Sequence, residues 1–408
     1  MAPYQAAVVR IGISFTWLAF LLREWNHSDE LYGPGSPWSW GMSRQLIATN
    51  HAFTALLWSD SRLWFEIVYA ATIAVSVMLL VGWRTRTTSL LFMIGVLTLQ
   101  NRNIFVGDGG DMFIHITAIY LVFVRCGEVW SLDSRKSRQL RQRGDEVADG
   151  RGDVVGTTMW GFFVAVLASV TALGKLGMGW GLILWGVVAV QAAWWLVRRY
   201  AGGEPRTVMA MVGNVLHAGA LLVIVGEVCL IYATAGWSKI LGSRWEDGTA
   251  LYYVFHNARF TPWPTLSHAL GNNSLLVMVI TYGTVLIEVA FPFTLFNRRV
   301  KNVSLALLIG MHLGIGILLG LPFFALTMVA ADSVFLPTAF LRWTGDRIVR
   351  AVPQRGAVRP AASPETAAEV CSRRKSAVRS MPSSSALGRP LLPPSTDTTS
   401  SARTTRKS

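Results

Sequence analysis

The stretch TVMAMVGNVLHAGALLVIVGEVCLIYATAGWSK, Thr207–Lys239, decides the fold. From 207 to 231 it is almost continuously apolar, and a transmembrane helix needs only about 20 such residues. That run therefore predicts a membrane-spanning helix. The chain continues as YATAGWSKILGSRWEDGTALYYVFHNARF to Phe260, which reads as a loop and places Lys239 where the helix is expected to meet water. An amine at such a junction is partly desolvated, and desolvation disfavours the ammonium form. A lysine held that way can serve as a base or nucleophile. The plainer alternative is a lysine that snorkels to the lipid headgroups. Residue type alone leaves both readings open.

Composition extends the membrane reading to most of the chain. Its 408 residues are 52% hydrophobic and only 15% charged, against about 25% charged in a soluble domain. Mean hydropathy is +0.41. The apolar residues fall in ten runs, roughly 5–22, 63–82, 88–100, 111–126, 157–174, 180–197, 207–231, 275–296, 302–320 and 323–340. The expected fold class is all-α, a polytopic helical bundle. The third, fourth, fifth and last runs fall short of about 20 residues and are read as tilted or re-entrant. The first run contains Arg10 and lacks a small-residue cleavage site, so it is expected to be a retained helix. Three cysteines make no disulfide framework.

Basic residues set the expected orientation. Arg84 and Arg86 follow the second run, Arg135 to Arg143 the fourth, and Arg198, Arg199 and Arg206 the sixth. Arg298, Arg299 and Lys301 follow the eighth, and Arg342, Arg347 and Arg350 the tenth. All are even-numbered exits, which predicts a cell-membrane protein with those loops and both termini in the cytoplasm. The loop carrying LYGPGSPWSW, the loop QNRNIFVGDGGD and the Lys239 segment then share the outer face.

Two regions are expected, a transmembrane domain over 1–343 and a tail over 344–408. The tail is rich in Ser, Pro, Thr and Arg and cannot bury a core, which predicts disorder. Residues 342–408 hold 13 Lys/Arg against 4 Asp/Glu, so they carry nine of the chain's fourteen net positive charges. That suits anionic lipid on the cytoplasmic face. Nucleic acid is not an expected partner, because the stretch has few aromatics and no folded platform. No internal repeat points to a two-halved transporter.

Several ionisable residues lie in or beside the runs. Asp111 and His115 stand four apart, so on a helix they share a face. They form either a carboxylate–imidazole pair or a cap beside an unrelated histidine. Asn101, Arg102 and Asn103 end the third run, either as a solvated helix end or as a site for a polar ligand. His312 lies inside the ninth run, where an ionisable residue is by default a functional candidate. A neutral histidine bonded to a neighbouring helix is the structural alternative. Glu227 and Glu288 are intramembrane acids that could pair with Arg10 or His217. No metal-ligand spacing, phosphate loop or serine nucleophile motif is present, and no metal is expected.

The pattern Tyr232-x-x-Ala235-Gly236-x-x-Lys239, followed by Trp245, Asp247-Gly248 and an aromatic run, resembles the active-site lysine region of vitamin K-dependent gamma-carboxylase. It is also similar to the bacterial HTTM (horizontally transferred transmembrane) family, which carries an Asn-rich stretch before Gly-Gly-Asp as this chain does at 101–111. The likeness covers about residues 4–341. It implies that Lys239 is the base acting on a reduced naphthoquinone of the vitamin K or menaquinone type, and that His312 supports it. Asp111 and His115 are secondary catalytic candidates, and Trp237, Asn101 and Arg102 are candidates for the cofactor. The implied activity is carboxylase-like or epoxidase-like, at the outer face. A peptide is the implied second partner, beside the lipid bilayer. The chain departs from the carboxylase in having no large domain after its helices and in carrying Arg102 where a histidine stands. The same family implies an alternative, a non-catalytic factor for maturation or export of a secreted peptide, as in the sporulation-delaying protein B type.

Overall fold

Ten long helices stand where the ten apolar runs lie, and an eleventh follows them. A computed structural model describes residues 2–142 and 154–351. The long helices are α1 Pro3–Arg23, α2 Arg62–Val81, α3 Thr85–Arg102, α4 Gly109–Leu121, α5 Val154–Ala172, α6 Met178–Tyr200, α7 Gly203–Ile240, α8 Ser274–Thr294, α9 Arg298–Leu318, α10 Pro322–Asp332 and α11 Thr338–Ala351. Further helices, up to 11 residues long as in Trp40–Asn50 and Leu132–Gln142, fill the connections, and every regular element among the described residues is helical. The described residues up to Val349 belong to one bundle. The second unit, Arg350–Ser408, lies outside the described residues apart from the last turn of α11. The expected disorder of the tail therefore falls almost wholly outside them, and the chain is still helical for the first residues past 343.

Local chemistry explains where the helices start and stop. Asp108 and Asp111 cap α4 reciprocally, while Asn273 and Asn297 accept from the first free N–H groups of α8 and α9. Pro322 opens α10 at a position whose missing N–H has no helical partner anyway. Gly82 closes α2 in the left-handed region, at φ 71°.

Among the described residues, seven helices are long and apolar enough to cross a membrane, or eight if α10 and α11 form one span bent by 117°. The expected ten spans are thus ten helices but fewer independent crossings. At 13 residues, α4 rises only about 20 Å, against a hydrocarbon core of about 30 Å. α3 is rich in threonine and ends on Arg102. Both are packed inside the bundle, where neither has to meet lipid over its full length. By contrast α5 and α6 are the least buried of the candidate spans.

Two expectations about polar residues are corrected. Arg10 is fully buried, yet among the described residues no glutamate pairs with it. Its guanidinium donates to the carbonyls of Leu79, Leu80, Cys126 and Trp130 at 2.5–3.1 Å, tying α1 to the end of α2 and to the segment that follows α4. His217 accepts from the backbone N–H of Arg125 instead of pairing with an acid. The second correction concerns α7. It does not end near 231 but runs 38 residues to Ile240, so Lys239 sits in its last turn and not in a loop.

Candidate functional site

The site starts from a glycine. A Cβ on Gly236 would come within 2.6 Å of the Val289 side chain and 3.0 Å of the Val289 nitrogen, so only glycine lets α7 lie this close to α8. One turn further, that contact brings Lys239 against Glu288. The lysine Nζ donates to both carboxylate oxygens of Glu288. The side chains are 21% and 6% exposed, so the pair is shielded from water. The Trp245 indole lies 5.3 Å from Nζ, adding a cation–π contact on the side toward the loop.

Deeper along α7, Tyr232 reaches two more helices. Its hydroxyl donates to Asp332 Oδ1 of α10 at 2.7 Å and meets His312 Nε2 of α9 at 2.9 Å. Phe291, one turn from Glu288 on α8, packs edge-on against the Tyr232 ring at 5.2 Å. Phe324 packs edge-on against His312 at 5.8 Å. Four helices thus converge on two polar sets, Lys239–Glu288 near the end of α7 and Tyr232–His312–Asp332 beneath it. Neither His312 Nδ1 nor Asp332 Oδ2 has a hydrogen-bond partner among the described residues, although both are buried.

A groove of about 830 Å³ runs along the opposite stripe of α7, facing α4. Its walls include Met112, Ile116, Tyr120, Leu230 and Ile231, and it ends at Ala235 and Ser238, on the turn that carries Lys239. Glu227 lines it with a buried oxygen, Oε1, that has no partner among the described residues. Its other oxygen accepts from Thr117 at 3.3 Å. Apart from this acid, the groove's walls are predominantly apolar.

The other sequence candidates are placed elsewhere. Asp111 and His115 do not bond to one another. The Asp111 carboxylate accepts from the Asp108 N–H at 3.0 Å as part of the cap, and His115 Nδ1 lies 2.9 Å from Gln100 Oε1. Asn101, Arg102 and Asn103 spend their side chains on the backbone of the segment between α1 and α2. Asn101 donates to Phe53 O, Asn103 to Leu31 O, and Arg102 to Trp38 O, Gly33 O and Ser43 Oγ. This run clasps the segment onto the bundle. Trp237 is 62% exposed and does not line the groove. Sequence reasoning noticed Glu288 as an intramembrane acid without its partner, gave Tyr232 no role beyond opening the lysine pattern, and missed Asp332. The missed signal was an acid within an apolar run, MVAADSVF, of the kind that singled out Glu227 and Glu288. No group of three metal-ligating side chains occurs among the described residues.

Compared with family models, with curated proteins and with solved structures, the chain finds no match.

Proposed function

We propose that this is a multi-pass membrane enzyme in which Lys239 acts as a base on a reduced naphthoquinone, with Glu288 as its proton partner and His312 in support. The observation that carries the reading is the shielded Lys239–Glu288 pair. Away from water, separated charges are poorly solvated, and under this proposal the proton between amine and carboxylate passes to Glu288 when the base acts. Moving it onto Glu288 leaves a neutral amine with a free lone pair, which is what a base requires. Lys239 does not itself line the groove but follows Ser238, which does, so in this reading its four-carbon stem leaves Glu288 and swings around α7 to the groove's end. Ile231, Thr234, Ala235 and Ser238 would hold the ring there, and Glu227 would anchor its deeper end. When bound, a reduced naphthoquinone supplies an acidic ring hydroxyl and a framework that reacts with oxygen. The resemblance to gamma-carboxylase and HTTM proteins supports the assignment, and the basic even-numbered loops favour a site on the outer face with the termini inside.

The test is Lys239→Arg in purified full-length protein. Arginine keeps the charge and the anchoring role but cannot be deprotonated near neutral pH. Oxygen-dependent consumption of reduced menaquinone, measured alongside fixation of labelled bicarbonate, should fall at least ~100-fold, the scale of a general base. Undiminished turnover in a folded variant would remove the base. If the native protein performs neither reaction, the enzyme reading fails and the non-catalytic maturation of a secreted peptide takes its place.

A further inference from the structure

Tyr232, His312 and Asp332 are 1%, 3% and 0% exposed, so no bulk water completes their hydrogen bonds. Their hydrogens can be counted. The Tyr232 hydroxyl is within hydrogen-bond distance of both Asp332 Oδ1, at 2.7 Å, and His312 Nε2, at 2.9 Å. A phenol carries one hydrogen, and a carboxylate only accepts. The hydrogen therefore points at Asp332, and toward His312 the phenol oxygen is the acceptor. His312 Nε2 must then be the donor. A neutral imidazole with its hydrogen on Nε2 has a bare lone pair on Nδ1. Nδ1 is also the ring atom that lacks a partner among the described residues.

We infer that Asp332 is a positioning residue for His312: acting through Tyr232, it fixes the Nε2–H tautomer and leaves Nδ1 as the free proton-accepting atom. The use of that lone pair rests on the Lys239 reading, whereas the tautomer rests on the geometry together with an ionised Asp332, since only the carboxylate form is acceptor-only. The carboxylate is the acceptor-only end of the chain and so sets the direction of both hydrogens. Without its oxygens, the phenol hydrogen has only His312 to bond. It turns to Nε2, and the ring must then carry its hydrogen on Nδ1. A carboxylate that merely filled space or held α10 in place would not reverse the ring's tautomer when removed.

Nitrogen-15 NMR of histidine-labelled, full-length protein in lipid nanodiscs distinguishes the two tautomers directly. The His312 signals are those absent from the spectrum of His312→Gln. In the native protein His312 should be the Nε2–H tautomer. Asp332→Asn should keep it, because the amide carbonyl still accepts from Tyr232. Asp332→Leu should invert it to Nδ1–H, and Tyr232→Phe should give a mixture of both. A native His312 with its hydrogen on Nδ1 would overturn the inference, as would a folded Asp332→Leu protein with an unchanged ring. Should Asp332→Leu not fold, Tyr232→Phe decides: a ring still wholly Nε2–H in that variant counts against it. Lys239→Arg should leave the His312 spectrum as in the native protein while abolishing turnover, so the two readings fail separately.

Discussion

Taking Lys239 and Glu288 out of water costs several kcal/mol per ion, and only close geometry offsets it. The pair meets that condition, with both carboxylate oxygens accepting from one ammonium. Glu288→Gln alone leaves the ammonium without its counter-charge and should lower stability by about 3 kcal/mol. Replacing both residues, Lys239→Met with Glu288→Met, should leave stability within about 1 kcal/mol of native and still eliminate turnover. Unfolding in nanodiscs beside the menaquinone assay separates the two effects; retained turnover in the double variant would make the pair a clasp between helices and nothing more. Lys239 and His312 are legible in sequence because an ionisable residue stands out in apolar surroundings. Their partners are not, since Glu288 lies 49 residues from Lys239 and Asp332 lies 100 from Tyr232. Arg102 shows the opposite error. Its charge looks available in sequence, yet backbone oxygens 64 and 69 residues away occupy its donors.

Helices were easier to locate than to bound. The apolar runs mark ten helices, seven of them among the described residues long and apolar enough to cross a membrane, because lipid and core both demand long stretches without charge. The end of α7 escapes that logic. Gly236, Ser238 and Lys239 look like the start of a loop, but the glycine is there to let α8 approach. Similarly, sequence length does not say that α3 and α4 hide inside the bundle, where short helices are tolerated. Past the end of α7, Gly248 is a glycine of the other kind. It has φ +76°, and a Cβ there would lie 3.1–3.2 Å from the ring and hydroxyl of Tyr282, which itself donates to Glu246 O. Gly248→Ala should therefore cost about 1–2 kcal/mol, seen as a lower thermal midpoint and faster proteolysis within 241–249. Unchanged midpoint and cleavage would show that this turn does not hold its conformation.

For the whole molecule, the decisive quantity is which way the bundle faces. The basic residues at even-numbered exits predict that reporter fusions at Lys136 and Arg299 score cytoplasmic and that one at Arg244 scores outside. The reverse pattern would move the Lys239–Glu288 pair to the inner face and detach it from any extracytoplasmic substrate. Whichever way it faces, α7 has a mechanical property of its own. Its 38 residues make a rod about 57 Å long, well beyond the hydrocarbon thickness of about 30 Å. A stiff rod longer than the film it crosses must lean or protrude, and close packing against α8 at Gly236 ties its lean to that of its neighbour. Lys239 rides at the tip of that rod and is clamped to α8 through Glu288, so the amine can change depth only if the two helices travel as one lever.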